Sequence, residues 1–459
     1  MSFLKKLFGT RKRRLRIEAQ RYDSARPSER FHWKHVDSKS VDASLDPETR
    51  RIQRERARYE IANNSWAYGA AMTLANAVVG NGPRLQLVSR EGNNFEEVEW
   101  AFAEWSEEVR LGEKLRAMRF ARFQDGESFA VLFDNKRRDG VRLDLAPIDA
   151  ERVCAALDSL DANDVDGIKL DEWGAPVSYR VLTQHPGGEL GFVEDATIYP
   201  AANVLHWYRR ALPEQHRGCS EISPALNLFA YLERYTRAVV TAAETAADLA
   251  MVFYSDGADE GYEEEPTENG EKPFAEIPFT RGLTIAAPYG MKPAQIKAEQ
   301  PTSTYSMLVD ELLGEIGASI GLPRLLMKHC AAGYNYASGR LDFQEYYRFI
   351  RLNQKSCEIS VLLPLFRAWL KEWELVNGEQ LPKVFPQWYW DGAEHVDPAK
   401  EANAQATRLA ALTTNLAIEY GKQGRDWEDE LNQIAKERDK MKELGLSMLN
   451  NQGSDGEEE

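Results

Sequence analysis

The chain has 459 residues, 43% of them hydrophobic and 28% charged, which is ordinary usage for a globular protein and excludes a collagen-like or wholly disordered chain. That length is enough for two to four domains or for one elongated subunit. No stretch approaches 18 uncharged apolar residues, so we expect no transmembrane helix, and the basic beginning of the chain lacks the apolar core of a secretory signal. The four cysteines are widely spaced and form no C-x-x-C motif, which favours free thiols over disulfides or a zinc site.

The net charge of −16 argues against tight binding of nucleic acid, because such affinity comes from clustered Lys and Arg side chains that release counterions. It does not exclude a protein past which DNA moves without adhering. Basic residues without any acid are concentrated at the start of the chain, at Lys5, Lys6, Arg11, Lys12, Arg13, Arg14 and Arg16. We expect residues 1–45 to be a basic arm and residues 449–459 an acidic tail.

The first predicted elements mix helices and strands. Asp46-Pro47 is a good cap and first turn for a long helix that ends at Gly80 and carries many arginines in its first half. A second helix is predicted by apolar residues spaced three and four apart from Phe95 to Val109. Strands are predicted at 128–133, 177–181 and 204–208, between turns rich in Gly, Asp and Pro. The pattern indicates an α+β domain over 46–222.

Two long helices with an acidic segment between them are predicted next. Residues 225–250 contain no Gly or Pro and would form a helix of about 40 Å. An acidic segment that contains Gly and Pro follows, with short strands predicted at 283–286 and 295–298. A helix over 304–320 then ends at Gly321-Leu322-Pro323. One helix therefore leads out, and the other returns.

The remaining part of the chain is predicted to be mainly helical. A polar segment without helical or strand periodicity, 324–339, precedes a long helix from Arg340 to Trp373. Asp397-Pro398 caps a final helical region that reaches about Leu446 and is interrupted near 421–424.

Possible catalytic motifs are weak. The sequence GASIG at 317–321 matches G-x-S-x-G, but that motif needs a preceding strand, and the residues before it are helical. No phosphate-binding loop of the G-x-x-x-x-G-K-[ST] type occurs, and no His or Cys group has metal-ligand spacing. We therefore predict no enzyme, no cofactor and no metal, and keep a hydrolase that uses Ser319 as the alternative.

Six short motifs occur in order between about residues 50 and 430. They are Arg58 with Asn63-Asn64 and VVGNGP at 78–83; GIKLDEWGAPVSY at 167–179; HWYR at 206–209 with Gln215 and Arg217-Gly218; GLP at 321–323 with NYASGR at 335–340; VDPAKE at 396–401; and GRDWE at 424–428. Together they resemble the lambda-like family of tailed-phage portal proteins, from whose usual pattern Ala337 and Gly339 depart.

The resemblance implies an oligomeric ring of twelve subunits at one vertex of a phage capsid, through which double-stranded DNA enters and leaves without sequence specificity. It implies contacts with the terminase large subunit, a head-tail adaptor, the major capsid protein and possibly a scaffold, with assembly in the host cytoplasm and no membrane. Each subunit would have a wing at 46–222, a stem helix at 223–252, a clip at 253–303, a returning stem helix at 304–320, a tunnel loop at 321–339, a long wing or tunnel helix with its connection at 340–396, and a helical crown at 397–448. A ring of subunits with a net charge of −16 each would repel the DNA duplex. Weak adhesion of DNA is what a channel through which DNA moves requires. A structural oligomer unrelated to phage remains an alternative.

The tunnel loop carries the first predicted site. Lys328 and His329 would meet DNA phosphates, and Asn335, Tyr336 and Ser338 would contact phosphates or neighbouring loops by hydrogen bonds. In the alternative, 335–340 only caps the long helix and binds the adjacent subunit, with Arg340 in an ion pair.

Two further surfaces are predicted to bind partners. The acidic clip residues Glu263, Glu264, Glu265 and Glu268 would contact terminase and adaptor, or else lie in a surface loop without a partner. The basic arm would contact encapsidated DNA or an internal scaffold or capsid protein, or else be only a solvated arm.

Overall fold

The computed structural model describes residues 38–89, 95–157, 159, 161, 163–189, 194–248, 252–254, 292–294, 303–392 and 398–446. Three sets of predictions lie outside these residues. They are the strands at 283–286 and 295–298, the clip carboxylates Glu263, Glu264, Glu265 and Glu268, and the basic side chains of Lys5, Lys6, Arg11, Lys12, Arg13 and Arg14.

The described part begins with three helices, α1 (Val41–Ser44), α2 (Pro47–Asn63) and α3 (Ser65–Val79). Asp46 caps α2 and Gly80 ends α3, as the sequence predicts. The prediction of one continuous helix is wrong, because the chain is extended at Asn64 (φ −112°, ψ 116°). The Asn64 side chain accepts hydrogen bonds from the backbone N–H groups of Trp66 and Ala67, so it ends α2 and starts α3 as an N-cap.

Two sheets and two helices follow. Helix α4 (Glu96–Glu108) matches the predicted second helix, and α5 (Leu111–Asp125) leads into the first sheet. That sheet is antiparallel, in the order β3 (Leu143–Ile148), β2 (Glu127–Asp134) and β8 (Val204–Tyr208). The second sheet has the order β4 (Asp164–Val165), β5 (Ile168–Leu170), β6 (Pro176–Leu182) and β7 (Ala196–Pro200). The three predicted strands are β2, β6 and β8, and β1 (Arg84–Val88) precedes α4.

The two long helices are α6 (Leu226–Asp248) and α7 (Ser303–Ile320). They pack against each other, with the rings of Tyr235 and Tyr305 stacked at 5.7 Å between centroids. Between them along the chain, β9 (Val252–Tyr254) pairs antiparallel with β10 (Lys292–Ala294). The predicted outgoing and returning helices are therefore present and in contact.

The C-terminal half consists mostly of helices. It contains α8 (Arg324–Lys328), α9 (Tyr336–Cys357), a π-helical turn (Glu358–Leu362), α10 (Leu363–Asn377), α11 (Pro398–Ala410), α12 (Leu416–Gly421) and α13 (Trp427–Glu443). Strand β11 (Phe385–Tyr389) returns to pair with β1, about 300 residues earlier in the chain. The final helical region is interrupted at 422–426 as predicted, and also at 411–415.

Two expectations for this half are wrong. The segment 324–339 contains the short helix α8, and the long helix begins at Tyr336 instead of Arg340 and continues through the π-helical turn to Asn377. The π-helical turn lies just before Pro364, which has no N–H to donate to a preceding carbonyl, and this local break shifts the hydrogen-bond register without ending the helix.

One large core joins the helices to the first sheet. Phe102 of α4 and Trp369 of α10 meet edge to face at 5.0 Å between centroids, and Phe229 of α6 and Leu313 of α7 are fully buried in the same core. A second, smaller core around Phe129 and Ile168 joins the two sheets. The protein is thus a mixed α+β fold. Within its described residues, the helices are all too short or too polar to span a membrane.

Candidate functional site

The segment that follows α7 turns sharply. Gly321 has φ +77°, a left-handed conformation that favours glycine, and an added Cβ would lie 2.8 Å from the ring of Phe349. The Leu322 N–H donates to the Gly317 carbonyl at 2.9 Å, which satisfies the helix end, and Pro323 then starts α8. The end of the helix predicted at 321–323 is therefore confirmed. The residues after it form the short helix α8, which the sequence does not predict.

Lys328 and His329, at the end of α8, contact other parts of the same chain. Lys328 forms a salt bridge with Asp310 of α7, and Arg324 binds the same carboxylate at 2.7 Å. The hydrogen bond from Lys328 lowers the pKa of Asp310 below its ordinary value. His329 has φ +48° and its Nε2 lies 3.4 Å from the hydroxyl of Thr73 in α3. The two cations and one carboxylate leave this cluster with one net positive charge.

Asn335 and Ser338 form a capping box at the start of α9. The Asn335 Oδ1 accepts the Ser338 N–H at 2.9 Å, and the Ser338 hydroxyl lies 3.2 Å from the Asn335 N–H, which donates to it. Tyr336 is the first residue of the helix. Arg340 is exposed and makes no ion pair with a described residue. The capping part of the alternative interpretation is thus confirmed, while DNA contact and subunit contact stay predictions.

A buried ionic network lies at the start of β2 and is not among the sites predicted from the sequence. Glu127, the first residue of β2, is fully buried and accepts hydrogen bonds from Arg217 Nη2 at 2.7 Å and from the Gly218 N–H at 2.9 Å. Arg54 of α2 also binds this carboxylate, and His206 Nε2 lies 3.1 Å from it. The network therefore joins α2, β2, β8 and the loop before α6.

The protonation of this network follows from its burial and its charges. Burial raises the pKa of Glu127, but the positive charge of Arg217 and the hydrogen bond with His206 outweigh burial and hold that pKa well below its usual range. For His206 burial wins and lowers its pKa, although Glu127 favours the protonated ring. Glu127 is thus ionised and paired, which suits a structural clamp.

Two close backbone contacts make the clamp possible. A Cβ added at Gly218 would lie 2.2 Å from the carbonyl oxygen of Gly126, whose own φ is +90°. Only glycine therefore lets the loop that carries Arg217 approach the start of β2. One sequence signal predicts part of the network, because Arg50, Arg54 and Arg58 are spaced by four and share one face of α2. Its partners are 67 to 116 residues away and could not be read from that spacing.

The proposed nucleophile does not have the geometry of a hydrolase. Ser319 lies within α7, and its hydroxyl donates to the Ile316 carbonyl at 2.8 Å. The strand–turn–helix that exposes the serine in that motif is replaced here by continuous helix.

One group of side chains has the composition of a metal site. Ligand atoms of Asp149, Glu151 and His185 lie within 4.8 Å of one another. The guanidinium of Arg58 binds Asp149 and Glu151 at 3.0 Å each, so both carboxylates already have an arginine as a partner.

The chain resembles several known proteins. The family model described as phage portal protein, lambda family, matches residues 28–354. The probable portal protein of Halomonas phage phiHAP-1 is 24% identical over 298 residues, which cover 61% of this chain and 56% of that protein. The chain thus spans a little more than half the length of this relative.

Two solved structures are similar at low identity. A chain in the virion of a native gene transfer agent particle is 14% identical with a TM-score of 0.44, and the match covers 86% of this chain and 94% of that one. A chain in the neck of an empty gene transfer agent particle is 16% identical with a TM-score of 0.45, over 82% and 94%. Because the family model spans most of the sequence, this chain belongs to the lambda family of phage portal proteins.

Proposed function

We propose that copies of this chain form a ring at one vertex of a phage capsid and that double-stranded DNA passes through the centre of the ring during packaging and ejection. Membership of the portal family supports the proposal. The ring, of twelve subunits, would be part of the virion and would assemble in the host cytoplasm together with the major capsid protein and possibly a scaffold.

The hairpin of α6 and α7 is the observation that carries the proposal. Helix α6 alone has 23 residues and is about 34 Å long, which is long enough for a rigid helix to line a channel. Apolar side chains remain exposed on both helices, Tyr231 and Val240 on α6 and Met307 and Leu308 on α7. Exposed apolar side chains along rigid helices are typical of surfaces that associate with other chains, which favours an assembly of several copies.

The positive cluster after α7 would guide DNA. Arg324, Asp310 and Lys328 together carry one net positive charge, and the exposed His329 adds a hydrogen-bonding group beside them. In a subunit of net charge −16, a small local excess of cations would centre a duplex without holding it tightly. Salt bridges with Asp310 would keep both cations in place as DNA moves. Asn335, Tyr336 and Ser338 would lie near this path.

The chain would act without catalysis of its own. The terminase large subunit would supply the energy of packaging and would dock, as the head-tail adaptor would later, on the clip between α6 and α7, where Glu263, Glu264, Glu265 and Glu268 occur. The basic arm, with Lys5, Lys6, Arg11, Lys12, Arg13 and Arg14, would contact DNA or an internal protein.

The ring is tested on the purified full-length chain. Native mass spectrometry should give a single large oligomer, and negative-stain images should show a ring with a central hole. A chain that remains monomeric, or that forms only closed dimers, would contradict the proposal. Loss of hydrolytic activity in Ser319→Ala, measured on generic ester substrates, would instead favour the enzyme.

A further inference from the structure

Helix α9 presents a basic and apolar face to solvent. This face carries three arginines and two leucines together with one exposed glutamate, so its net charge is positive: Arg340, Leu341, Glu345, Arg348, Arg351 and Leu352. Leu341 is 67% exposed and Leu352 is 66% exposed. The three arginines are exposed and make no ion pair with any described residue. We call this surface the α9 face.

Helix α7 presents a face of opposite charge. Met307, Leu308, Glu311 and Glu315 are exposed on one side of the helix, which contains no Lys or Arg. Neither glutamate pairs with a described residue, whereas Asp310 is directed to Arg324 and Lys328. We call this surface the α7 face.

The two faces complement each other in charge, and the described side chains that define them are exposed to solvent in the single chain. Both combine large apolar side chains with unpaired charges, acidic on α7 and basic on α9. We infer that the α7 face of one copy packs against the α9 face of the next copy around the ring. This inference rests on the proposed ring, and it identifies the two surfaces through which neighbouring copies in that ring would touch. Since the two faces are different surfaces of one chain, the contact is heterologous, the type that generates a ring when the rotation between successive copies closes.

The dimensions of the faces fit this contact. Leu308 and Glu315 are seven residues apart, or about 10 Å along α7, and Arg348 and Leu352 are four residues apart, or about 6 Å along α9. Each face therefore offers an apolar side chain within one or two helical turns of its charges. Packing of the leucines would remove apolar surface from water, and the ion pairs would fix which faces meet.

DNA fits the α9 face less well than a second copy of the chain does. Phosphates would pair with Arg348 and Arg351, but they would leave Leu341 and Leu352 exposed to water, and they would give the α7 face no partner. A protein surface that is both acidic and apolar satisfies both kinds of side chain.

Two charge-reversed full-length chains test the contact. The first carries Glu311→Arg with Glu315→Arg, so that both of its faces are basic, and the second carries Arg348→Glu with Arg351→Glu, so that both are acidic. Each alone should give a ring fraction lower than that of the unchanged chain by at least about tenfold, because like charges would face each other at every contact. An equimolar mixture should restore rings in which the two chains alternate, since every contact is again complementary.

The readouts are native mass spectrometry, which resolves the composition of each ring, and circular dichroism, which checks that the chains are folded. A matched control, Lys136→Glu with Arg137→Glu, reverses two exposed charges in the loop between β2 and β3 and should leave rings unchanged. A chain with all four helix substitutions, with its complementarity inverted, should form rings alone.

The possible failures have different meanings. If the unchanged chain forms no ring, the proposed function is contradicted and the inference with it. If the unchanged chain and both reversed chains form rings equally well, only the pairing of the two faces is wrong. Rings of the Arg348→Glu, Arg351→Glu chain that assemble normally but retain DNA poorly would assign the α9 face to DNA and overturn the inference.

Discussion

Arg54 and Arg51 lie three residues apart on α2, and they provide a matched test of the buried network. The Arg54 side chain is 6% exposed and binds Glu127, which is completely buried, whereas the Arg51 side chain is 52% exposed and pairs with Glu48 and Glu55 in solvent. The same substitution, Arg→Leu, changes helix propensity equally at both positions. The difference between the two variants therefore isolates the effect of burial.

We expect Arg54→Leu to lower the free energy of unfolding by about 3 kcal/mol. Removal of one partner from a buried ion pair usually costs about 3–5 kcal/mol, and the lower end applies because Arg217 still binds Glu127 in the variant. The substitution also removes the donor to the Asp125 carbonyl, 3.2 Å from Arg54 Nε. Arg51→Leu should change stability by no more than about 1 kcal/mol, as is usual for exposed pairs.

The pH dependence gives a second test of the same contact. The folded-state pKa of Glu127 lies well below its ordinary value, so this carboxylate stabilises the fold above the unfolded pKa. That stabilisation is lost as the pH falls through the folded pKa. A protonated Glu127 needs no cation, so the penalty of Arg54→Leu should decrease only as the pH falls through the folded pKa values of this carboxylate in the variant and in the unchanged chain.

The assay is urea unfolding followed by circular dichroism, at a fixed protein concentration because association also stabilises the chain. Equal losses for Arg54→Leu and Arg51→Leu would refute the assignment of the network as a buried clamp. A penalty for Arg54→Leu that stays constant down to the pH at which Glu127 becomes protonated in the folded chain would show that the loss comes from packing and not from the charge of Glu127.

Four further predictions concern the cap of α9, the cations after α8, the clip and the basic arm. Asn335→Ala should destabilise the first turn of α9 by about 1 kcal/mol, seen as faster amide hydrogen exchange there, while Asn335→Asp, which keeps an acceptor, should restore protection. Lys328→Ala combined with His329→Ala should leave ring assembly normal and alter DNA packaging or retention; variants that package and hold a full genome normally would contradict the DNA-centring role. Deletion of residues 258–270 should leave rings intact but weaken binding of terminase or adaptor in pull-down assays, and unchanged capture of both would remove the docking role. Removal of residues 2–16 should impair assembly or DNA packaging in a salt-sensitive manner, and no effect would mean that the arm is only solvated.

The local elements of this fold follow from the sequence because their causes are local. Helical spacing of apolar residues predicts α4, and the absence of Gly and Pro over 225–250 predicts α6. The break at Gly321-Leu322-Pro323, which ends α7, needs only the backbone preferences of glycine and proline. Alternating and apolar runs predict β2 and β8 for the same reason. The error at Asn64 arose because an N-cap within an otherwise apolar helical pattern does not interrupt the periodicity.

Tertiary structure alone decided which residues meet. Glu127 binds Arg54 and Arg217, which are 73 and 90 residues away, and no periodicity specifies such partners. From the sequence, Lys328 is expected to be a cation without a nearby acidic partner. The turn at Gly321 folds α8 back so that Lys328 reaches Asp310. Strand β1 likewise has no partner until β11 returns beside it. Spacing along the chain fixes the face of a helix or strand on which a side chain lies, but what covers that face depends on how distant segments pack. For this reason the order of elements typical of portal proteins could be predicted from the sequence, whereas the ionic clamp around Glu127 could not.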